Sequence, residues 1–415
     1  MTQRSARLSL VFSSLGHFYF HMFTAFYAVI VLSLEVEWGI GYDSLLELWW
    51  VGSLLVGLAA LPAGRLGDVW SVPGMMAIYF VGMGGAAVAC GLASAPPPLM
   101  AGLAAIGLFG AIYHPIGVPW MIRNAGARQG RMLAVNGIFG SLGSAGAGLI
   151  AGILIDLWGW RAAFMAPGVV AVATGVAMLW YMRRGDIRPE SRAGMEKKPA
   201  GYAGTLRIFV ILLVAMFTGG LIYHGTQNAL PKLLDLRVMD LFVPWVSNGL
   251  GQWAGNLLGG ASGVGLLVAA VYTVGGFTQL VGGALADRYP LKNIYVGAWA
   301  VEMVLLLLLA QTGGLPLVPV AMLAVMMNLA QLPAENMLLA RFTPERHHGL
   351  AFGAKFVVAF GAAPVAILLL SRVWAATGEF EMLFLGLAGG ALLITLLAMM
   401  LPHTEPARAI PAPGE

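Results

Sequence analysis

Apolar runs of roughly 20 residues follow one another along nearly the whole chain. Of its 415 residues, 59% are hydrophobic and only 10% are charged, whereas a soluble domain carries about 25% charged residues. A run of this length crosses a bilayer as an α-helix, whose backbone hydrogen bonds are all internal. The sequence therefore predicts an all-α membrane protein and excludes a soluble enzyme. About twelve spans are expected, near residues 8–33, 45–63, 74–94, 98–122, 131–155, 162–182, 206–231, 258–284, 292–311, 316–341, 349–371 and 380–401.

Most basic residues lie in alternate connections between these runs, whereas the other connections carry acidic residues such as Glu35, Asp43 and Asp156 and few basic ones. By the positive-inside rule, the basic connections and both termini are cytoplasmic. The basic N-terminus precedes an apolar run that is too long for a signal peptide, which indicates a retained first helix. We expect a multi-pass protein of a bacterial-type inner membrane. The basic residues assigned to this cytoplasmic side are Arg4, Arg7, Arg65, Arg123, Arg128, Arg131, those from 183 to 198, Arg288, Lys292, Arg341, Arg346 and Arg408.

Two segments of the sequence, 114–130 and 332–349, repeat each other. In each, a proline inside an apolar run precedes two arginines at the same spacings, so that Pro115 matches Pro333. An internal repeat in a polytopic membrane chain indicates two pseudo-symmetric halves around a site at the bilayer midplane, as is typical of transporters. We predict an N-terminal six-helix bundle (1–183), a cytoplasmic linker (184–205), a C-terminal six-helix bundle (206–401) and a cytoplasmic tail (402–415).

A further stretch, 235–256, interrupts the apolar pattern on the opposite side of the membrane from the linker. It contains Pro244 and the aromatic residues Phe242, Trp245 and Trp253. Because tryptophan is enriched where membrane meets water, we expect an irregular segment that lies along the outer interface.

A short motif, Gly-x-x-x-Asp, follows the second and eighth predicted spans. It runs from Gly64 to Asp68 in the first copy and from Gly283 to Asp287 in the second, and its glycine is expected to let two helices cross closely. With this motif and this organisation, the chain resembles transporters of the major facilitator superfamily. The resemblance implies the major facilitator fold and transport by alternating access. It also implies cytoplasmic gating pairs, formed by Asp68 with Arg123 or Arg128, and by Asp287, beside Arg288, with Arg341 or Arg346.

Part of the sequence resembles a narrower group within that superfamily, the fosmidomycin-resistance exporters. The resemblance lies in His17, in His114-Pro115 and in the glycines that follow, at positions 126, 130, 137, 140 and 143. It implies proton-coupled export of a drug or metabolite.

The superfamily resemblance places spans one, four, seven and ten around a central cavity, and each of the four carries an ionisable side chain inside its apolar run. Such residues are costly in a membrane and therefore indicate function. Lys355 on span eleven adds a cation, and nearby amides suit a polar ligand. Glu302 in span nine is not explained by this pattern. The predicted substrate and proton site comprises His17, His21, His114, His224, Gln227, Asn228, Gln331, Glu335 and Lys355.

His17 and His21 are four residues apart, so they share one face of a helix. Three interpretations stay open: core histidines bonded to neighbouring helices, a proton or substrate site, and a metal site. The sequence offers no cysteine near the pair and only Glu335 as a carboxylate, so we expect no metal and no cofactor. His21 and Glu335 are the first candidates for proton coupling, because they come from opposite halves of the chain.

The sequence thus favours a secondary transporter that moves a small polar or anionic organic solute, coupled to protons and in the export direction. One alternative is a proton-coupled uptake symporter for an organic acid or other metabolite. Another is a membrane receptor that does not transport. An enzyme is not expected, because no nucleophile–base pair or phosphate loop is present. The expected partners are the solute, protons and the lipid bilayer, without nucleic acid, and the chain is expected to be a monomer.

Overall fold

The computed structural model describes residues 3–125, 129–187, 206–343 and 348–403, and these residues form a helical bundle without a β-strand. We call residues 3–187 the first half and residues 206–403 the second half. The helices of the first half are α1 (Gln3–Ala25), α2 (Tyr27–Trp38), α3 (Tyr42–Glu47), α4 (Trp50–Leu58), α5 (Ala60–Val69), α6 (Val72–Gly91), α7 (Pro96–Gly110), α8 (Tyr113–Ala125), α9 (Gln129–Trp158) and α10 (Trp160–Arg183). Those of the second half are α11 (Leu206–Arg237), α12 (Met239–Leu250), α13 (Gln252–Leu258), α14 (Ala261–Arg288), α15 (Leu291–Gln311), α16 (Leu317–Ala330), α17 (Leu332–Phe342), α18 (His348–Thr377) and α19 (Glu381–Met399).

Eleven helical segments within the described residues are long and apolar enough to cross a membrane, and a bent pair would make twelve. The bent pair joins Tyr42–Leu58 to Ala60–Val69 at an angle of 41°. Several spans consist of two consecutive helices, as in Arg4–Trp38, Pro96–Ala125 and Leu317–Phe342. The all-α membrane fold expected from the sequence is confirmed.

Spans four and ten are interrupted at matching places, and the interruptions explain the sequence repeat. Helix α7 ends at Gly110 and α8 begins at Tyr113, two residues before Pro115. Helix α16 ends at Ala330 and α17 begins at Leu332, directly before Pro333. Proline lacks the N–H that a helix interior requires but is accepted in a first helical turn. Each repeat therefore begins a new helix partway through a span.

The stretch 235–256 is helical, so the expectation of an irregular segment was wrong. Helix α11 continues through Pro231 to Arg237, and α12 and α13 follow it. Helix α12 buries Met239, Phe242 and Val246, while Trp245 stays 63% exposed. The sequence showed the proline and the polar residues of this stretch but not the apolar face that packs it against the bundle.

The two halves meet mainly along two pairs of helices, α9 with α14 and α4 with α18. Small residues allow these helices to approach closely. A Cβ added to Gly152 would collide with the backbone of Ala261, and one added to Gly265 would collide with Gly148. Gly57 similarly faces the backbone of Gly361.

The bundle has two ends, which we name by their residues. The terminal face holds the start of α1 and the ends of α10 and α19: Arg4 pairs with Asp186 at 3.1 Å, and Lys292 donates to the carbonyl oxygen of Leu401 at 2.7 Å. The distal face holds the opposite helix ends, including Glu35 and Lys232, whose side chains pair across the two halves at 2.6 Å.

Candidate functional site

A cavity of about 390 Å³ lies between the two halves and is lined by both. All nine side chains that the sequence predicts for the substrate and proton site line this cavity. They are His17, His21 and His114 from the first half, and His224, Gln227, Asn228, Gln331, Glu335 and Lys355 from the second. Their role in binding or coupling remains a prediction.

His17, His21 and His114 form a cluster on the first-half wall of the cavity. One nitrogen atom from each ring lies within 4.8 Å of those of the other two. Nε2 of His21 is 3.2 Å from Nε2 of His17, and Nδ1 of His17 is 2.7 Å from the carbonyl oxygen of Asn136. Since a carbonyl only accepts, His17 donates Nδ1–H and its Nε2 carries a lone pair. The hydrogen bonds thereby define the tautomer of His17.

Aromatic rings hold this cluster in place from several sides. Tyr113 stacks on His17 with a centroid separation of 5.1 Å, and its hydroxyl is 3.2 Å from Oδ1 of Asn136. His114 stacks on Phe356 of the second half at 5.5 Å and contacts Phe360 at 5.3 Å. Nε2 of His114 is buried and has no hydrogen-bond partner in the described part of the chain. The cluster is thus packed between aromatic rings, with one ring nitrogen of His114 unsatisfied.

Glu335 and Lys355 form a buried ion pair on the second-half wall. Lys355 Nζ lies 2.7 Å from Oε1 of Glu335 and donates to Oδ1 of Asn336 at 2.6 Å. The hydroxyl of Tyr295 donates to Oε2 of Glu335 at 3.0 Å. The side chains of the pair are only 5% and 10% exposed. Both carboxylate oxygens therefore have partners, as a buried charge requires.

The amide side chains of the cavity bond mostly to their own helices. Asn228 donates to the carbonyl oxygen of His224 at 2.8 Å, and Gln227 donates to the hydroxyl of Tyr223 at 3.1 Å. Gln331 donates to the carbonyl oxygen of Asn328, while its own Oε1 is buried without a partner among the described residues. This unsatisfied acceptor beside the cavity is suited to a donor on a bound solute.

Sequence reasoning missed the aromatic residues of the site and an adjoining cavity. Tyr113, Tyr295, Phe356 and Phe360 gave no signal, because an aromatic residue in an apolar span is equally compatible with lipid or core packing. The second cavity, of about 290 Å³, lies between α9 and α14 and shares Gly137, Ser141 and Gln279 with the first. The remainder of its lining is largely apolar, with residues such as Leu133, Leu142 and Phe277.

Glu302 stands outside the lining of the central cavity. It is 2% exposed, and its Oε2 has no hydrogen-bond partner among the described residues.

The predicted gating residues Asp68, Arg123, Asp287, Arg288 and Arg341 are all exposed near the terminal face. Asp68 and Asp287 form no ion pair or hydrogen bond with other described residues, so the pairs expected with Arg123 and Arg341 are not made in this conformation. Their alternative partners Arg128 and Arg346 lie outside the described residues. The gating role of this set remains a prediction.

The glycine that begins each Gly-x-x-x-Asp motif lies at a close helix crossing in the first half but not in the second. A Cβ added to Gly64 would touch Pro115 of α8 at 3.4 Å, as expected for a close crossing. A Cβ added to Gly283 would meet nothing within 4 Å, whereas one added to Gly282 would collide with the carbonyl of Ala330. In the second half, the crossing therefore depends on the preceding glycine.

Comparison with known sequences gives one family and one relative. The sequence profile of the Major Facilitator Superfamily matches residues 11–261 and 236–415. A protein of Streptomyces coelicolor described as a probable actinorhodin transporter is 31% identical over 159 residues. That alignment covers 36% of this chain and only 27% of the relative. None of these matches shows the fosmidomycin-resistance group.

Solved transporter structures share the fold. A peptide transporter, POT, in complex with alafosfalin superposes with a TM-score of 0.71 at 15% identity, covering 94% of this chain and 93% of that one. A bacterial homologue of the human lysosomal transporter Spinster, in an inward-facing and unoccupied conformation, gives a TM-score of 0.66 at 13% identity over 96% and 95% of the two chains. At such identities the likeness concerns the fold alone.

Proposed function

Because this chain belongs to the major facilitator superfamily and is a multi-pass membrane transporter rather than an enzyme, we propose that it exports a small polar or anionic organic solute in exchange for protons. The cavity shared by both halves, with its ionisable lining, carries this proposal. The non-transporting receptor alternative finds no support in these matches. The proposal includes a monomer in a bacterial-type inner membrane with both termini cytoplasmic, as the distribution of basic residues predicts.

The lining of the cavity supports a polar organic solute. Four histidines offer ring nitrogens, and Gln331 offers an unsatisfied amide oxygen. The apolar second cavity beside Ser141 and Gln279 gives room for a hydrophobic part of the same molecule. The partial similarity to a probable actinorhodin transporter and the resemblance to the fosmidomycin-resistance group both support export of an organic compound.

The Glu335–Lys355 pair supports proton coupling, because a proton and a solute compete for the same carboxylate. While Glu335 is ionised, it accepts from Lys355 and Tyr295. A polar solute that donates hydrogen bonds to this carboxylate is displaced when a proton binds there. Alternating access then converts this competition into exchange of solute for protons.

The same pair also supports the second candidate, an uptake symporter for an organic acid. An anionic solute needs the Lys355 ammonium, which Glu335 already holds at 2.7 Å. Protonation of Glu335 would release Lys355, so that anion and proton would bind together and cross in the same direction. A solute that donates to Glu335 thus favours exchange, and one that must bind the Lys355 ammonium favours symport.

Transport by purified protein in liposomes tests both candidates. Solutes are first screened for thermal stabilisation of the protein, because a specific ligand stabilises the folded state by mass action. A stabilising solute is then added to liposomes that contain a pH-sensitive dye. Proton movement opposite to the solute supports export by exchange, and movement with it supports symport. Solute flux without proton movement would contradict coupling.

Glu335→Gln separates coupling from binding. We expect this variant to keep solute exchange across the membrane but to lose accumulation driven by a pH gradient. The control is Glu37→Gln, which removes an exposed carboxylate paired with Arg161 within the first half. If Glu335→Gln keeps the wild-type pH dependence of accumulation, Glu335 is not the coupling group.

A further inference from the structure

We propose that His17, His21 and His114 form a binding site for a divalent first-row transition metal ion of the Zn²⁺ class. The sequence brought only His17 and His21 into consideration for a metal, and two ligands are fewer than such a site needs. The fold supplies the third from α8, because the interruption of span four places His114 at the start of a new helix beside α1. The proposal does not depend on the identity or direction of the transported solute.

The distances within the cluster are close to those of a tetrahedral site. Zinc–nitrogen bonds of about 2.0 to 2.1 Å place neighbouring ligand nitrogens about 3.3 Å apart in a tetrahedron. The two Nε2 atoms of His17 and His21 are already 3.2 Å apart. The largest separation in the cluster is no more than 4.8 Å. Closing it to the tetrahedral distance requires a shift of at most about 1.5 Å, which a small rotation of the His114 ring beside Phe356 and Phe360 would supply.

The surroundings of His17 provide the support that metal-bound histidines usually have. A ligating imidazole commonly donates its other N–H to a backbone carbonyl, which fixes its orientation. Nδ1 of His17 makes this contact with the Asn136 carbonyl oxygen at 2.7 Å. Gly140 lets the ring approach α9 closely, since an added Cβ there would collide with it. The lone pair on Nε2 therefore points at His21 without any rearrangement of His17.

The unsatisfied nitrogen of His114 is the second observation that points to a ligand. Buried polar atoms nearly always have a partner, but Nε2 of His114 has none in the described chain. Without a metal, His21 donates Nε2–H to His17. With a metal, His21 carries its proton on Nδ1 instead, and all three rings offer lone pairs.

Three neutral imidazoles define both the preferred ion and its open position. Imidazole ligands suit Zn²⁺, Cu²⁺, Ni²⁺ or Co²⁺, whereas Mg²⁺ and Ca²⁺ prefer oxygen ligands. Three protein ligands leave the fourth position of a tetrahedral ion open. All three histidines line the central cavity, so this position faces the space where a solute would bind. The three neutral imidazoles do not compensate the double positive charge of the ion. We therefore expect hydroxide or an anionic group of a solute as the fourth ligand.

The experiment uses Co²⁺ as a spectroscopic probe on full-length protein whose affinity tag has been removed. A four-coordinate Co²⁺ site with nitrogen ligands absorbs visible light far more strongly than hexahydrated Co²⁺. We expect one such Co²⁺ per chain, displaced by one equivalent of Zn²⁺ and unaffected by excess Mg²⁺. A weak six-coordinate spectrum, or binding without a fixed stoichiometry, would overturn the proposal.

Variants locate the site within the cavity. His17→Gln, His21→Gln and His114→Gln should each weaken Co²⁺ binding by more than about 100-fold, since even outer partners of a metal ligand contribute about 10- to 100-fold. The matched control is His403→Gln, an exposed histidine outside both the cavity and the cluster, which should bind Co²⁺ as the wild type does. Undiminished binding by His114→Gln would refute the three-histidine site. If a variant does not fold, X-ray absorption of the Zn²⁺-loaded wild type decides, because fewer than three imidazole ligands contradict the proposal.

Discussion

At the scale of single residues, the most demanding feature is the ion pair between Glu335 and Lys355. Burial of the pair removes two charges from water. The desolvation free energy is several kcal/mol for each ion, and the attraction between the charges offsets part of it. Hydrogen bonds compensate for part of this cost: Tyr295 donates to Glu335, and Lys355 donates to Asn336. Such a pair adds little net stability, but removal of one member leaves the other as an uncompensated buried charge. This asymmetry is consistent with the coupling role proposed for the pair.

A double-mutant cycle measures this coupling in the folded protein. Glu335→Gln and Lys355→Met should each lower the thermal unfolding temperature, because each leaves a polar partner unpaired. The double variant should be more stable than the sum of the two losses predicts, by roughly 0.5 to 3 kcal/mol. The control pair is Arg237–Glu379, in which Glu379 is 59% exposed. Glu379→Gln should have little effect. Additive losses at Glu335 and Lys355 would show that the two charges do not interact.

At the scale of helices, the matching interruptions of spans four and ten position residues of the candidate site. The break before Pro115 begins the helix that carries His114, and the break at Gln331 begins the helix that carries Glu335. Helix α14 crosses span ten at this second break, where Gly282 faces the carbonyl oxygen of Ala330. A close crossing without side-chain atoms between the helices fixes the position of α17 and therefore of Glu335.

Two adjacent glycines of α14 test this crossing. Gly282→Ala places a methyl group against the Ala330 carbonyl and should destabilise the protein by about 1 to 3 kcal/mol. Gly283→Ala meets open space and should be neutral or stabilise by up to about 1 kcal/mol, because alanine restricts the unfolded chain. Thermal unfolding in the same detergent compares the two. Equal effects would show that the helices do not cross at Gly282.

A site residue can be predicted from the sequence when its burial in a membrane carries a high free-energy cost. Histidine, glutamate and lysine inside apolar runs are expensive, so His114, Glu335 and the other polar residues of the cavity were visible without a structure. Tyr295 and Phe356 were not, because aromatic residues suit both lipid and protein surroundings. The approach of His114 to His17 and His21 was also out of reach, since it depends on how α8 packs against α1. The helical form of 235–256 depends likewise on tertiary burial.

At the scale of the whole molecule, polar contacts connect the two halves at the distal face. Lys232 of α11 binds Glu35 of α2 at 2.6 Å. The Tyr42 hydroxyl donates to the Asn228 carbonyl oxygen at 3.1 Å, and Ser371 donates to Glu47 at 2.8 Å. Asp68 and Asp287 on the terminal face make no such bonds with the described residues. In alternating access, access from the distal face therefore requires the Lys232–Glu35 contact to break.

Removal of this ion pair should shift the protein toward a conformation open at the distal face. The pair is largely shielded, with side chains 11% and 28% exposed, so its loss should change the equilibrium by about 1 to 2 kcal/mol, or roughly 5- to 30-fold. The variant is Glu35→Gln in a background of Cys90→Ala and Thr24→Cys, where residue 24 lines the cavity. A membrane-impermeant thiol reagent added at the distal face should label residue 24 correspondingly faster. The control, Glu37→Gln, breaks the Arg161 pair at the same face but within one half, and should leave labelling unchanged. Equal labelling rates in both variants would show that closure of the distal face does not depend on the Lys232–Glu35 pair.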